Sequence, residues 1–198
     1  MKTMACVASG PSLTPEDCLA VHQADIPIIA VNNSWLAAPY CSAIYAADCC
    51  WWESCHNVLP PSAERWCGDA FTARRFGIRC FSSALPGPFN SGQRAVELAI
   101  HFGASRILLL GYDCSLRYGT HWHGKHRFLA NPDKFSVASW HDEFSRLKAV
   151  SEGVRIINCS RYTQLNCFPR QTLEMALSYQ GIYDTKTNGL YSGHVRTG

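Results

Sequence analysis

Our prediction of the fold of this chain of 198 residues starts from Cys6-Val7-Ala8-Ser9-Gly10-Pro11-Ser12-Leu13-Thr14. Its first residues continue a short apolar run from Met4, which is typical of a buried strand. The small residues that follow predict a tight turn. Thr14-Pro15-Glu16-Asp17 then has the arrangement of a helix N-cap, a proline at the first helical position and an acidic first turn. A strand that leads through a turn into a helix is a building unit of open α/β sheets.

Apolar runs alternate with helical patterns through the rest of the chain. We expect further strands at residues 26–31, 42–46, 79–81, 107–110 and 154–158. We expect helices at residues 18–22, 48–56, 91–102, 135–150 and 173–179. The run at 107–110 is apolar throughout, as is typical of a central parallel strand. The pattern predicts an α/β fold, with a single Rossmann-like domain over residues 1–184, a mostly parallel sheet flanked by helices, and a polar tail at 185–198.

The composition indicates a globular protein. Hydrophobic residues make up 47% of the chain and charged residues 17%, and the formal net charge of +3 is too small to diagnose a nucleic-acid partner. No apolar run approaches the roughly 20 residues of a membrane span, so we expect no membrane partner. Met1-Lys2-Thr3 leads into the first strand without a signal segment, which predicts a cytoplasmic location.

The chain has eleven cysteines, a high and odd number. A disulfide framework is not expected without an export signal, and the lack of any C-x-x-C pair argues against a zinc cluster. Cys6, Cys80, Cys114 and Cys159 lie in or beside apolar runs, where a thiol packs as a small hydrophobic group. We therefore expect reduced, structural thiols.

Small and polar residues follow four of the expected strands. They are Ser9-Gly10-Pro11-Ser12, Asn32-Asn33, Gly111-Tyr112-Asp113 and Asn158-Cys159-Ser160. In open α/β sheets, ligands bind at the carboxyl ends of the strands, near the point where the strand order reverses. Gly10 would let the backbone approach a ligand, and Ser12 with the free N–H groups of the helix start would hold an anion. An ordinary strand-to-helix turn is the alternative.

A second helix start, Asn90-Ser91-Gly92, precedes the strand at 107–110. Two helix N-termini directed at one crevice suit a phosphate-bearing ligand, because each presents unpaired N–H groups and the positive end of a helix dipole. Asp113 directly follows a buried strand, where a charge needs a partner. We therefore predict a catalytic or ribose-binding role for Asp113.

The loop Ala8-Ser9-Gly10-Pro11-Ser12-Leu13 resembles the G-x-G-P-S-L loop of the bacterial family-42 sialyltransferases. Asn32 matches the family's nucleotide-contacting Asn, Ser91-Gly92 matches its Ser-Gly at a helix start, and Gly111-Tyr112-Asp113 matches its Gly-Ile-Asp strand end. The order and spacing agree over roughly residues 4–177. The chain also resembles small bacteriophage-encoded proteins of this superfamily, which would place it in the host cytoplasm.

The resemblance implies a Rossmann-like glycosyltransferase that uses a CMP-type sugar donor, acts by direct displacement at the anomeric carbon and has no obligatory cofactor. The nucleotide-binding residues that we predict are Ser9, Gly10, Pro11, Ser12, Asn32, Asn33, Ser91, Gly92, Tyr112 and Ser115. The loop departs from the family pattern because it lacks the first Gly, and Ser9 stands directly before Gly10. Ser115 replaces a Tyr that contacts the leaving phosphate in the family, although Tyr118 and His121 lie close in the sequence.

The heptapeptide Thr120-His121-Trp122-His123-Gly124-Lys125-His126 carries three histidines in six residues. An imidazole, with an unperturbed pKa of about 6.5, can act as a base on an acceptor hydroxyl or as a cation facing the leaving phosphate. The predicted catalytic residues are His121, His123, His126 and Asp113, and the predicted phosphate or acceptor contacts are Tyr118, Lys125 and Arg127. A surface loop whose imidazoles bond backbone carbonyls is the alternative.

The same heptapeptide has T-H-x-H-x-x-H spacing, which resembles the metal-binding motif of the metallo-β-lactamase superfamily. Lys125 stands where that superfamily has an Asp ligand. A metal-dependent hydrolase with His121, His123 and His126 as ligands is therefore one alternative function. The transferase prediction requires no metal ion, although a divalent metal is compatible with it.

The function that we expect is nucleotide-sugar-dependent glycosyl transfer. The expected partners are a nucleotide or nucleotide-sugar and an acceptor that is a glycan, a small molecule or a modified nucleic acid, and a homo-oligomer is compatible with the sequence. A non-catalytic, nucleotide-binding phage accessory protein is the other alternative. Trp51 and Trp52 would form a stacking platform or part of the core, and His141 is a further candidate base.

Overall fold

Seven parallel strands form the sheet at the centre of the computed structural model, which describes residues 1–124 and 131–178. The strands are β1 (Thr3–Val7), β2 (Ile28–Val31), β3 (Ala43–Tyr45), β4 (Glu64–Cys67), β5 (Arg79–Cys80), β6 (Arg106–Leu110) and β7 (Arg155–Asn158). Their order across the sheet is β5-β4-β3-β2-β1-β6-β7, and every neighbouring pair is parallel. This Rossmann-like architecture confirms the predicted α/β class.

Helices cover both faces of the sheet. They are α1 (Pro15–Gln23), α2 (Cys49–Cys55), α3 (Ala70–Phe76), α4 (Ser91–His101) and α5 (Lys134–Val150), with 3-10 helices at Asn32–Leu36 and His56–Val58 and helical residues at 173–178. The predicted start of α1 is confirmed, because the Thr14 side chain accepts a hydrogen bond from the Asp17 N–H at 3.2 Å. Among the described residues, no helix is long and apolar enough to cross a membrane.

Side chains that alternate along β1 divide the core into two layers. Ala5 and Val7 face the layer that contains α1 and α2. Met4 and Cys6 face the layer formed by α4 and α5. Both faces of the sheet are therefore covered, which explains why its central strands read as continuous apolar runs in the sequence.

The strand order reverses between β1 and β6. From β1 the chain builds β2, β3, β4 and β5 outward on one side, and α4 then packs across β1, β2 and β3 on the way to β6. Val7 of β1 lies opposite Leu110 of β6, so the loops after these two strands leave the sheet side by side. Ligands of open α/β sheets bind at such a position.

Residues 60–88 contain two elements that the sequence did not reveal, β4 and α3. In β4, Glu64 is exposed whereas Trp66 and Cys67 are buried, so this strand lacks the fully apolar run that marks the central strands. Helix α3 has a clear N-cap, since the Asp69 side chain accepts from the Thr72 N–H at 2.8 Å. However, it has only seven residues, which is too short for a helical apolar pattern to stand out. The predicted domain end at 184 and the tail at 185–198 lie outside the described residues.

All eleven cysteines are unpaired thiols in the structure. Cys6, Cys18, Cys41, Cys67 and Cys114 are buried. Burial raises the pKa of the Cys18 and Cys41 thiols to about 12 each, so both are neutral near pH 7. Of the four cysteines predicted to pack as small hydrophobic groups, Cys6 and Cys114 are buried, whereas Cys80 and Cys159 are only partly buried.

Candidate functional site

A cavity of about 700 Å³ opens at the carboxyl ends of the central strands, where the strand order reverses. The predicted nucleotide-binding residues that line it are Ser9, Gly10, Asn32, Ser91, Gly92, Tyr112 and Ser115. Of the predicted catalytic residues, His121 and Asp113 line it as well. The structure therefore brings residues from four distant parts of the chain to one place, at the position that the fold favours for a ligand.

The loops after β1 and β6 are held together by Ser12 and Asp113. The Ser12 N–H donates to Asp113 Oδ2 at 2.8 Å, and Ser12 Oγ donates to Asp113 Oδ1 at 2.5 Å. Asp113 is only 2% exposed. The carbonyl oxygen of Ser12 also accepts a hydrogen bond, from the Arg161 guanidinium at 3.0 Å. Ser12 thus binds the Asp113 carboxylate rather than a ligand anion, and it does not line the cavity.

Gly10 and Gly111 bring the two loops into backbone contact. The Gly10 N–H donates to the Gly111 carbonyl at 2.8 Å, and the Ala8 N–H donates to the Leu110 carbonyl at 2.8 Å. A Cβ on Gly10 would lie 2.4 Å from both the Asp113 carboxylate and the Gly111 carbonyl oxygen. Glycine is therefore needed at residue 10 because the neighbouring loop is so close, whereas the sequence predicted a close approach to a ligand.

The N-terminus of α4 faces the cavity. The Asn90 side chain caps this helix by accepting from the Gln93 N–H at 2.8 Å, and it donates to the buried Glu143 carboxylate at 2.5 Å. Burial raises the pKa of Glu143 above its ordinary value. The N–H groups of Ser91 and Gly92 belong to the first helical turn, which has no acceptors within its own helix. These groups and the helix dipole can bind an anion in the cavity.

Tyr112 fixes the position of the α4 N-terminus. Its hydroxyl donates to the Gly92 carbonyl at 3.0 Å, and its ring packs edge-on against Phe144 at 5.7 Å. Burial raises the pKa of the Tyr112 hydroxyl well above its ordinary value, so this group remains a neutral donor. The Tyr112 N–H donates to Ser160 Oγ at 2.8 Å, which gives the polar residues after β7 a structural role.

Asn32 has the features of a ligand-binding residue. Its φ of 48° is left-handed, a conformation that costs free energy for a residue other than glycine. Its Oδ1 atom is buried without a hydrogen-bond partner among the described residues. Asn33 differs, because its Oδ1 accepts from the Trp51 indole N–H at 2.7 Å and it does not line the cavity. Trp51 and Trp52 are both buried in the core, and Trp51 also lines the cavity.

Ser9 links the histidine segment to the loop after β1. Ser9 Oγ lies 2.9 Å from His121 Nδ1, and the Ser9 carbonyl accepts from the Trp122 N–H at 3.0 Å. The His121 and His123 rings stack at 5.1 Å with an angle of 10° between their planes. The hydroxyl of Ser9 therefore holds an imidazole at the edge of the cavity.

Several of the remaining predicted residues that the structure describes lie outside the cavity. Pro11 and His123 do not line the cavity, and the exposed Tyr118 packs against Tyr162 at 4.6 Å instead. His141 places Nε2 3.2 Å from the Cys114 carbonyl. Lys125, His126 and Arg127 lie outside the described residues. The two predicted helix starts also differ, since α4 faces the cavity but no residue at the start of α1 lines it.

The predicted site omitted several residues that line the cavity. The most informative is Asp48, which follows β3 and directly precedes α2. Phe89 and Trp140 add aromatic walls to the cavity. Asp48 could have been predicted from the sequence, because it follows a predicted strand as Asn32 and Asp113 do. Phe89 and Trp140 could not have been predicted in this way, since their places depend on how α4 and α5 pack.

Metal binding receives no support from the described residues. Within residues 1–124 and 131–178, no group of three or more His, Cys, Asp or Glu side chains could hold a metal ion. His126, the third ligand of the predicted metal motif, lies outside these ranges. The hydrolase alternative therefore stays a prediction.

The fold defines a Rossmann-like α/β protein with a cavity at the reversal of strand order. Comparisons with known proteins assign this chain no family, because no family model, no curated protein and no solved structure matches it.

Proposed function

We propose that the cavity binds a nucleotide and that the protein transfers a sugar from a nucleotide-sugar donor, with a CMP-sugar favoured by the resemblance of its motifs. The observation that carries this proposal is the meeting of Asn32 with the α4 N-terminus in one cavity at the reversal of strand order. An unpaired amide oxygen can accept a hydrogen bond from a base, and a helix N-terminus can bind a phosphate.

The proposed reaction is a direct displacement. The acceptor oxygen forms a bond to the anomeric carbon, the bond from this carbon to the phosphate oxygen breaks, and the nucleotide leaves with the electron pair. The N–H groups at the start of α4 stabilise the leaving phosphate. His121 is the predicted base that lines the cavity among the described residues, and it receives the acceptor proton.

Isothermal titration calorimetry with CMP, CDP, UDP and CMP-sialic acid tests the binding step. We expect at least one of these ligands to bind with a Kd in the micromolar range, about −8 kcal/mol. Mixing the protein with the sugar form of the ligand that binds, and following nucleotide release by chromatography, tests the transfer or slow hydrolysis of the donor. If none of these ligands binds, the proposal is wrong.

A second candidate function is nucleotide binding without catalysis. The described residues that line the cavity include no lysine or arginine, so no fixed cation among them stabilises a leaving phosphate. Tight nucleotide binding without nucleotide release from any donor would favour this function over transfer.

Asn32→Gly separates binding from stability. Glycine adopts the left-handed conformation without strain, so we expect stability to be unchanged or to rise by about 1 kcal/mol in urea unfolding. We expect nucleotide affinity to fall about tenfold in calorimetry, because one hydrogen bond to the ligand is lost.

Asp25→Gly is the matched control for this substitution. Asp25 also has a left-handed φ, of 54°, but it is exposed and does not line the cavity. It should gain stability in the same way and keep full nucleotide affinity. Equal affinities for Asn32→Gly and the unmodified protein would exclude Asn32 from the ligand site.

A further inference from the structure

Asp48 presents an unengaged carboxylate to the cavity. It follows β3, occupies the N-cap position of α2 and is exposed. Its side chain makes no capping hydrogen bond, and within the described residues no ion pair engages it. The other carboxylate that lines the cavity, Asp113, has both oxygens bonded to Ser12. Asp48 is therefore available to a ligand in a way that Asp113 is not.

Two hydrogen bonds place Asp48 between the start of α4, where we propose that the phosphate binds, and Asn32, where we propose that the nucleobase binds. On one side, the N–H of the preceding residue, Ala47, donates to Ser91 Oγ at the start of α4 at 3.1 Å. On the other side, Trp51 in the first turn of α2 donates to Asn33 at 2.7 Å, directly after Asn32. The segment that carries Asp48 is thus tied to both ends of the proposed nucleotide site.

The chemistry of this position restricts the group that Asp48 can bind. A phosphate is favoured at the α4 N-terminus but is repelled by a carboxylate. A carboxylate only accepts hydrogen bonds, and hydroxyl groups are suitable donors. In a nucleotide, the ribose and its two adjacent hydroxyls lie between the base and the phosphate. Acidic residues bind ribose hydroxyls in other Rossmann-type nucleotide sites.

We infer that Asp48 binds the ribose hydroxyls of the nucleotide and makes the site selective for ribonucleotides over 2′-deoxyribonucleotides. This inference rests on the proposed function, because it requires the cavity to hold a nucleotide. It assigns Asp48 a role in specificity, and the reacting atoms lie at the other end of the ligand, beyond the α4 N-terminus.

Calorimetric titration of CMP and 2′-deoxy-CMP, and of UMP and 2′-deoxy-UMP, tests the inference on the full chain. For the unmodified protein we expect the ribo form to bind about tenfold more tightly or better, as for the loss of a hydrogen bond to a charged group. In Asp48→Asn we expect the affinity ratio between the ribo and the deoxy form to fall toward one, because an amide oxygen accepts a hydroxyl hydrogen bond more weakly than a carboxylate does. Glu53→Gln is the matched control, since Glu53 lies on the same helix, pairs with Arg75 at the surface and does not line the cavity.

Each possible result supports or overturns the inference. If the unmodified protein binds the ribo and the deoxy forms with nearly equal affinity, the inference is wrong, and no variant is needed to show it. An unchanged ratio in Asp48→Asn, or an equal change in affinity for both forms, also overturns it and leaves the proposed function intact. If the unmodified protein binds neither form of either nucleotide, the proposed function fails together with the inference.

Discussion

Gly111→Ala is expected to lower the free energy of unfolding by about 3 kcal/mol or more, because two separate costs combine. Gly111 has a left-handed φ of 70°, which costs a residue with a Cβ about 1–2 kcal/mol. In addition, the new Cβ would lie 2.3 Å from the Ala8 carbonyl oxygen. Ala8 cannot move aside easily, because its N–H is bonded to Leu110 at 2.8 Å. Urea unfolding followed by circular dichroism measures the change.

Gly103→Ala isolates the first of these costs. Gly103 has a similar φ of 82°, but a Cβ there would meet nothing within 4 Å among the described residues. We expect this variant to lose only about 1 kcal/mol. The difference between the two variants measures how rigidly the loops after β1 and β6 are held together. Equal losses would show that the loops can separate and that their contact does not define the cavity.

The sheet was predictable from the sequence where its strands are buried on both faces. Residues 107–110 are apolar throughout because β6 lies in the middle of the sheet with helices above and below it. Toward the edge the prediction was incomplete: β5 lies within the strand predicted at 79–81, whereas β4 was missed because its first residues are not buried. The strand order could not be predicted either. The pairing of β6 with β1 joins segments that are far apart in the chain, and no local sequence pattern indicates it.

Polar residues at strand ends and at a helix start indicated which parts of the chain meet, because Asn32, Asp113 and the start of α4 line one cavity. The contacts of the individual residues were less predictable. However, Gly10 and Ser12 serve the contact between two loops, and this contact exists only once β1 and β6 are neighbours. A motif therefore indicates that a loop is tightly constrained, whereas the partner of each group depends on the tertiary structure.

Substitution of Asp113 is expected to cause the second large loss of stability. The Asp113 variants also test whether this residue has a structural role or the predicted catalytic role. Asp113→Ala would leave the buried Ser12 N–H and hydroxyl without an acceptor, so we expect a loss of about 3 kcal/mol. For a chain of this size, the melting temperature would fall by about 6–12 °C. Asp142→Ala, which removes an exposed carboxylate on α5, should change stability by less than about 0.5 kcal/mol.

A double-mutant cycle with Ser12→Ala shows whether the cost arises from this pair. If the two side chains act together, the double variant should be only slightly less stable than Asp113→Ala, with a coupling energy of about 1–3 kcal/mol. Additive losses would show that Asp113 is stabilised by other contacts.

Asp113→Asn then distinguishes holding the loops from moving a proton. The amide has the shape of the carboxylate, and it can accept from the Ser12 N–H while donating to the Ser12 hydroxyl oxygen. If Asp113 only joins the loops, this variant should keep nucleotide affinity and donor turnover, with a stability loss of about 1 kcal/mol. If Asp113 is catalytic, the variant should fold and bind nucleotide but lose turnover, because an amide cannot accept a proton at neutral pH. Since both oxygens of the buried carboxylate bond to Ser12, we expect the first result.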